Sequence, residues 1–273
     1  MLVAPLIIMG AIIMLAPGVL SLAGLLVQDR AILTYETGTS RTDAKVRDRL
    51  WMEAVDWNRS HMDQPVSDPF TTNTATNDMA YNRLLDVEGN GIMGVLRIPK
   101  IGLRLPIRHG TSEESLSDGV GHLATTPLPI GGKGHRSVLA AHRGLPDREL
   151  FTRLDELKEN DLFNITVLDR THWYRVTDVK VVDPSDVNAI QPIPGRDLIT
   201  LLTCTPYGVN TMRLLVTGER TAPPSTPVTS SVMPGRESWF RYGTGPLLIL
   251  TGGSAVLIIR RHRLSRPMGR HVK

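Results

Sequence analysis

Five short runs rich in strand-forming residues fill the middle of the chain and limit what it can fold into. The runs are IMGVLRIPKIGLRLPI, HRSVLAAHRG, LFNITVL, WYRVTDVKVV and DLITLLTC, within residues 92–204. Glycine, proline or aspartate separates them, as is typical of turns between strands. The sequence therefore predicts a mainly β domain, closed or sandwiched. One exception is 147–161, where Leu150, Phe151, Leu154 and Leu157 have helical spacing and predict a short helix.

A helix is predicted ahead of this domain. Between residues 39 and 62, apolar positions recur at helical spacing among charged residues: Val46, Leu50, Ala54 and Trp57, with Trp51 and Val55 beside them. The stretch 64–78 is rich in proline, threonine, asparagine and aspartate, which predicts a loop. The composition of 221–241, rich in proline, serine and threonine, predicts an extended tether.

Uncharged stretches lie near both ends of the chain. Residues 1–27 carry no charged side chain and are long enough to cross a hydrocarbon core of roughly 30 Å as a helix. SLA at 21–23 also resembles a cleavage site, so a removed signal peptide is the alternative. A second uncharged stretch, 242–259, is followed at once by the basic tail 260–273. By the positive-inside tendency, we expect two spans in the cell membrane, a cytoplasmic tail and an extracellular middle region.

The distribution of charge argues against a nucleic-acid partner. The tail holds six of the 31 lysines and arginines, which leaves 25 basic residues against 27 acidic residues elsewhere. The region between the apolar stretches is therefore slightly acidic, and its predicted partners are a lipid bilayer and other proteins.

Cys204 is the only cysteine of the chain. In a protein outside the cell, a single cysteine is a free thiol or an intermolecular disulfide, and a buried inert thiol is the plainest interpretation. Period-two alternation in 197–204 places Cys204 at a strand end, before a turn marked by Pro206, Gly208 and Asn210. If the following run returns beside it, Arg213 comes near the thiol. A guanidinium there could lower the thiol pKa or stabilise an oxyanion, whereas pairing with a surface carboxylate is the alternative.

A thiol nucleophile also needs an acid/base partner, and histidine is the usual one. Most of the eight histidines are interpreted as solvated or structurally satisfied. His142 differs because an apolar strand runs directly into it and Arg, Gly and Leu follow, which places its imidazole at the rim of the β domain.

These residues resemble a known family. LLTCTPYGVNTMRLLVTGER resembles the signature of sortases, in which a Thr-x-Thr-Cys strand end precedes a catalytic arginine, and LAAHRG resembles their histidine motif. CTPYGVN and HRGLPD are similar to the pilin-polymerising class C branch. LRIPKIGLRLPI, HGTSEESLSDGVGHL and LPIGGKG extend the resemblance over roughly residues 92–220.

The resemblance implies a membrane-anchored transpeptidase with a closed eight-stranded β-barrel. It implies that Cys204 attacks the threonine carbonyl of an LPxTG-like sorting signal and that His142 transfers protons. Arg213 would hold the substrate and the oxyanion, with the backbone N–H of Thr205, and Thr203 would support the substrate groove. The acceptor implied for class C is a pilin lysine; a peptidoglycan precursor amine is the alternative acceptor. No metal or organic cofactor is implied.

The class C resemblance also implies a lid over the active site. SDPF matches the Asp-Pro-aromatic lid motif through Asp68, Pro69 and Phe70, with Asp68 facing Arg213 and Phe70 covering Cys204. An ordinary Asp-Pro turn is the alternative. Met212 departs from the family, which often has histidine just before the arginine; by alternation we expect its side chain to point away from that of Arg213.

The predicted organisation has six parts. They are an N-terminal transmembrane segment or signal anchor (1–27), a helix and lid region (28–91), a catalytic barrel (92–220), the tether (221–241), a transmembrane helix (242–259) and the tail (260–273). A membrane-tethered binding domain in which Cys204 is merely structural remains a competing hypothesis.

Overall fold

The structure is a computed structural model, and it describes residues 9–10, 24, 26–61, 65–70, 78–145 and 148–226. The chain divides into two units, Leu15–Val232 and Met1–Met14 with Met233–Lys273. Of the second unit, only residues 9 and 10 are described. Among the described segments, no helix is long and apolar enough to span a membrane. The predicted span 242–259, the tail and most of 1–27 and of the tether lie outside the described residues.

Eight strands form the body of the Leu15–Val232 unit. They are β1 (Ile92–Ile98), β2 (Leu103–His109), β3 (Val120–His122), β4 (His135–Ala140), β5 (Leu162–Val167), β6 (Arg170–Val182), β7 (Asp197–Thr205) and β8 (Met212–Thr221). They close into a barrel in the order β1-β2-β3-β4-β7-β8-β6-β5. The pairs β2–β3 and β4–β7 are parallel and the other neighbours are antiparallel. The prediction of a mainly β chain with a closed eight-stranded barrel is confirmed.

The two faces of β7 pack into different apolar clusters. Ile199 and Leu201 belong to the large core cluster, whereas Leu202 belongs to a smaller cluster with Leu215 of β8. This division follows from the period-two alternation of a strand. Because the second face is also apolar, it needs a cover, and Val66 and Phe70 from the segment ahead of the barrel pack on it.

In the described part of the Leu15–Val232 unit, three α-helices accompany the barrel: α1 (residues 26–41), α2 (Ala44–Ser60) and α3 (Glu113–Asp118). The predicted amphipathic helix corresponds to α2, which begins after Asp43, whose side chain accepts a hydrogen bond from the Lys45 N–H. Ala54 is fully buried, and the remaining predicted apolar positions except Val46 pack on the core. The helix therefore buries the stripe that its spacing indicated.

The predicted helix within 147–161 is wrong in extent. Only a short 3-10 turn, Leu154–Glu156, forms among the described residues of this stretch. Leu150 has a φ of 36°, in the left-handed region, which a right-handed α-helix cannot continue through. The apolar side chains that suggested a helix are all buried nonetheless. They pack in the core from a segment whose backbone is irregular.

Tyr35 fastens α1 to the barrel. Its fully buried hydroxyl donates to the Met93 carbonyl at 2.9 Å and accepts from the Leu168 N–H at 2.8 Å. Next to it, Glu36 accepts from Arg97 at 2.6 Å and from Arg104 at 2.7 Å. The hydroxyl thus satisfies backbone groups of β1 and of the turn after β5, while the carboxylate joins β1 to β2.

Replacing Tyr35 by phenylalanine tests this anchor. Tyr35→Phe keeps the ring but leaves the Leu168 N–H and the Met93 carbonyl without that partner. We expect the free energy of unfolding to fall by about 2 kcal/mol, since each buried unsatisfied group costs about 1–3 kcal/mol. Tyr174→Phe is the control, because the Tyr174 hydroxyl is 3.4 Å from Asp197. Urea unfolding of the full-length chain should show the smaller loss for the control, and equal losses would contradict the anchor.

Candidate active site

The pairing of β7 with β8 places Cys204 directly opposite Arg213. Side chains of directly opposed residues in an antiparallel pair project on the same face of the sheet. The next pair on this face is Leu202 with Leu215, so the thiol and the guanidinium lie above the smaller apolar cluster. The turn between the strands is tight, with the N–H groups of Val209 and Asn210 bonded to the Pro206 carbonyl. The predicted approach of Arg213 to Cys204 is therefore seen in the structure.

Arg213 is almost fully buried and uses all three of its guanidinium nitrogens. Nε and Nη2 donate to the two carboxylate oxygens of Asp68 at 2.8 and 2.9 Å, a bidentate pair. Nη1 donates to the carbonyls of Asn210 and Met212 at 3.2 and 3.1 Å. Both partners of the ion pair are buried, with side chains 7% and 6% exposed. The hydrogen bond to Asp68 is the main reason that the pKa of Arg213 is raised.

Cys204 is a half-buried free thiol. Burial is the main cause that raises its pKa, the positive charge of Arg213 lowers it, and the negative charge of Asp68 raises it again. The net direction is upward, so the thiol form is favoured near neutral pH while Asp68 is in place. Asp68 therefore offsets part of the activation that Arg213 gives the sulfur.

His142 follows β4, which runs parallel to β7. Ala140 lies opposite Leu202, and extending this register by two residues sets His142 level with Cys204. The imidazole Nε2 is 3.1 Å from Glu113 Oε1, a residue in the first turn of α3. This contact occupies Nε2. Cysteine, histidine and arginine thus meet at one rim of the barrel.

Residues 65–70 lie across this rim. Asp68 and Pro69 are buried, and Val66 and Phe70 pack on the apolar cluster. The Phe70 ring centroid is 5.8 Å from that of His142 and 5.2 Å from the guanidinium carbon of Arg213. The segment predicted as a lid therefore contacts the acid/base candidate and the arginine together.

The remaining predicted site residues hold the strand ends together. Thr203 is fully buried, and its hydroxyl donates to the Ala141 carbonyl at 2.8 Å, next to His142. Thr205 accepts a hydrogen bond from Arg143 at 3.2 Å through its side chain. Met212 pairs with Thr205 at the start of β8. The oxyanion role of the Thr205 N–H and the groove role of Thr203 stay predictions.

Two residues at this rim were not singled out in the sequence. Glu113 contacts His142 from 29 positions earlier, and Arg143 contacts Thr205 from 62 positions earlier. Ser112 and the two glutamates after it are typical of a helix start, so α3 had a local signal. No local signal indicates which side chain the helix presents to His142.

His122 shows why other histidines are poor acid/base candidates. It is fully buried, its Nδ1 is 2.8 Å from the Tyr81 hydroxyl, and its Nε2 is 2.9 Å from the Pro127 carbonyl. Burial lowers its pKa to about 4. A neutral ring with both nitrogens occupied by protein groups packs the barrel and does not exchange protons with a substrate.

Comparisons with known proteins identify the family. The sortase domain matches residues 96–221. Sortase D of Bacillus subtilis is 31% identical over 130 residues, which are 46% of this chain and 63% of that protein. The match therefore spans less than two thirds of the length of this curated relative.

Several solved structures match over nearly their whole length, and two of them show the similarity. Sortase C-1 from Actinomyces oris is 41% identical, with a TM-score of 0.62 over 65% of this chain and 99% of that one. The pilus-related sortase C of Group B Streptococcus is 40% identical, with a TM-score of 0.64 over 69% of this chain and 95% of that one. With this sequence identity, this barrel and a cysteine, a histidine and an arginine at one rim, the chain belongs to the sortase family of cysteine transpeptidases.

Proposed function

We propose that this chain is a class C sortase that cleaves an LPxTG-like sorting signal after its threonine and joins it to a lysine amine of a pilin. The observation that carries the proposal is the bidentate pair between Asp68 and Arg213, beside Cys204. It couples the segment at 65–70 to the residue that would receive the substrate. The 40% identity to a pilus-related sortase C supports the choice of a pilin as substrate.

The first half-reaction forms a thioester. His142 accepts the proton of the Cys204 thiol, the resulting thiolate attacks the carbonyl carbon of the threonine, and the negative charge moves to the carbonyl oxygen. Arg213 and the N–H of Thr205 stabilise that oxyanion. His142 gives a proton to the nitrogen of the departing glycine, and the carbon–nitrogen bond breaks. Asp68 must leave Arg213 before this step, since its carboxylate occupies two of the guanidinium nitrogens.

The second half-reaction forms an isopeptide bond. The lysine amine attacks the thioester carbon, His142 accepts a proton from the attacking nitrogen, and the Cys204 thiolate departs. The thioester keeps the acyl group activated, so the transfer needs no ATP and no cofactor.

The location of the enzyme is part of the proposal. The uncharged stretches 1–27 and 242–259 would hold the barrel at the outer face of the cell membrane, with the tail 260–273 in the cytoplasm. The tether 221–241 would space the barrel from the second span. A pilin with its own membrane segment would then meet the enzyme at the same surface.

Incubation with a purified pilin distinguishes the possible activities. Full-length wild-type chain in detergent should convert the pilin into a covalent ladder on a denaturing gel, and Cys204→Ala should abolish the ladder because it removes the nucleophile. His142→Ala and Arg213→Ala should reduce it at least about 100-fold. Transfer to a peptidoglycan-type amine without a ladder would indicate a cell-wall anchoring sortase. An unchanged ladder with Cys204→Ala would indicate a structural thiol.

Removing Asp68 should expose the thiol. The Asp68–Arg213 pair holds the segment by charged hydrogen bonds, each contributing about 1.5–3 kcal/mol. We expect Asp68→Ala to speed alkylation of Cys204 by about tenfold or more, since each 1.4 kcal/mol changes a population about tenfold. Phe70→Ala should act in the same direction. Asp169→Ala, which breaks the ion pair with Arg47 at 3.0 Å, is the control and should leave the rate unchanged. Wild-type rates in both lid variants would contradict a lid.

The pH dependence of alkylation tests the electrostatic effect of Asp68. Burial and the Asp68 charge raise the pKa of Cys204, while Arg213 lowers it. Asp68→Asn removes one raising influence and keeps the lowering one. The midpoint of the alkylation profile should therefore move to lower pH, with Asp169→Asn as the reference. A midpoint that stays in place or rises would show that the Asp68 charge does not act on the thiol.

A further inference from the structure

We infer that Arg143 is a positioning residue for the proposed transpeptidation, which it serves by fixing the strand end of His142 against the strand end of Cys204. The inference rests on the proposed function and adds a residue that touches neither the reacting sulfur nor the acyl group. It is drawn from the contacts of one buried guanidinium that joins the segments after β4 and β7.

The Arg143 side chain is only 8% exposed, and each of its nitrogens has a different partner. Nη1 donates to the Thr205 hydroxyl at 3.2 Å, Nε to the Thr152 carbonyl at 3.2 Å, and Nη2 to the Asp155 carboxylate at 2.6 Å. The carboxylate balances the charge of the arginine. The other two bonds tie the residue after His142 to the residue after Cys204 and to the segment near residue 152.

Gly144 brings the same two segments into close contact. It has a φ of +84°, and a Cβ built there would lie 2.9 Å from the Tyr207 ring. Its N–H also donates to the Thr152 hydroxyl at 3.1 Å. The backbone after His142 therefore lies directly against the loop after Cys204, which only a glycine permits at this position.

The parallel ladder ends just before the reactive residues. The last register pair of β4 and β7 is Ala140 with Leu202, and the Ala141 N–H then donates to the Leu202 carbonyl. Beyond this point, one side-chain bond lies on each side of the reactive pair. Thr203 bonds to Ala141 one residue before Cys204 and His142, and Arg143 bonds to Thr205 one residue after them. The spacing between imidazole and sulfur is thus held from both sides.

Such spacing matters because proton transfer tolerates little displacement. A misplacement of about 1 Å can lower the rate of a catalysed step by about 100-fold. Arginine suits the task because its planar fork reaches three partners at once and keeps its charge at any physiological pH. A lysine at the same position can bond to only some of them in one geometry. We therefore expect the effect of Arg143 to be geometric.

The pH dependence of Cys204 alkylation distinguishes a geometric role of Arg143 from an electrostatic one. The charged groups that shift the pKa of Cys204 are Arg213 and Asp68. A geometric role predicts that Arg143 variants keep the wild-type pH midpoint for alkylation of Cys204. If Arg143 only stabilised the barrel, its replacement would lower the free energy of unfolding without a selective loss in kcat.

The test uses the full-length chain with an LPxTG-like peptide and an amine acceptor. We expect Arg143→Gln to lower kcat by about 10- to 100-fold with KM within about twofold of wild type, and Arg143→Lys to lie between. The matched control is Arg153→Gln. Arg153 is 16% exposed, bonds to Glu156 at 2.8 Å and to the Ile101 carbonyl at 3.2 Å. It anchors the same segment without a hydrogen bond to Thr205, so its kcat should stay near wild type.

A second variant isolates the single hydrogen bond. Thr205→Val keeps the backbone N–H but removes the side-chain acceptor of Arg143, so it should lower kcat even if Arg143→Gln does not fold. The combination of Arg143→Gln with Thr205→Val should be no slower than Arg143→Gln, because both remove one contact.

The outcomes are distinct. Equal kcat values for Arg143→Gln and Arg153→Gln in an otherwise active enzyme overturn the inference alone. A shifted alkylation midpoint in Arg143→Gln, or a wild-type kcat in Thr205→Val, also overturns it. A wild-type chain without any acyl transfer overturns the proposed function, and the inference falls with it.

Discussion

The position of β7 between a parallel and an antiparallel neighbour decides where every reactive group lies. Because β4 runs parallel to β7, the ends of both strands reach the same rim, bringing His142 beside Cys204. Because β8 runs antiparallel, it starts at that rim and presents Arg213 opposite the cysteine. No loop has to reach across the barrel to complete the site. The hydrogen-bond ladders therefore provide the preorganisation that catalysis requires.

The guanidinium of Arg213 can bind only one carboxylate or other oxygen-bearing partner at a time through Nε and Nη2. In the structure that partner is Asp68, held in a bidentate pair from which water is almost excluded. A buried ion pair gains Coulomb energy but loses hydration on both groups, so its net contribution to stability is modest. The apolar contacts of Val66 and Phe70 also keep residues 65–70 packed on the barrel. Under the proposed function, a modest net stabilisation suits a segment that the substrate displaces.

Much of this arrangement could be predicted from local patterns, and the remainder depends on long-range contacts. Alternation along β7 and β8 predicted the faces of Cys204 and Arg213, and the turn residues between them predicted their approach. The apolar spacing along α2 likewise predicted which face of the helix packs on the core. The stretch after residue 147 was misread because the left-handed backbone of Leu150 breaks a helix whose apolar spacing is otherwise correct. The contacts of Glu113 and Arg143 had no local signal, since each joins residues far apart in the chain.

The parallel pairing of β4 with β7 also bears on when the chain acquires its chemistry. Arg143 and Thr205 are 62 residues apart, so the ladder between their strands can form only when a long loop of chain has closed. Pairings of such long range form slowly, because loop closure must precede the contacts that stabilise it. A chain in which this pairing has not yet formed therefore carries the thiol without its histidine. The thiol and the imidazole therefore become neighbours only when the parallel ladder of the barrel is complete.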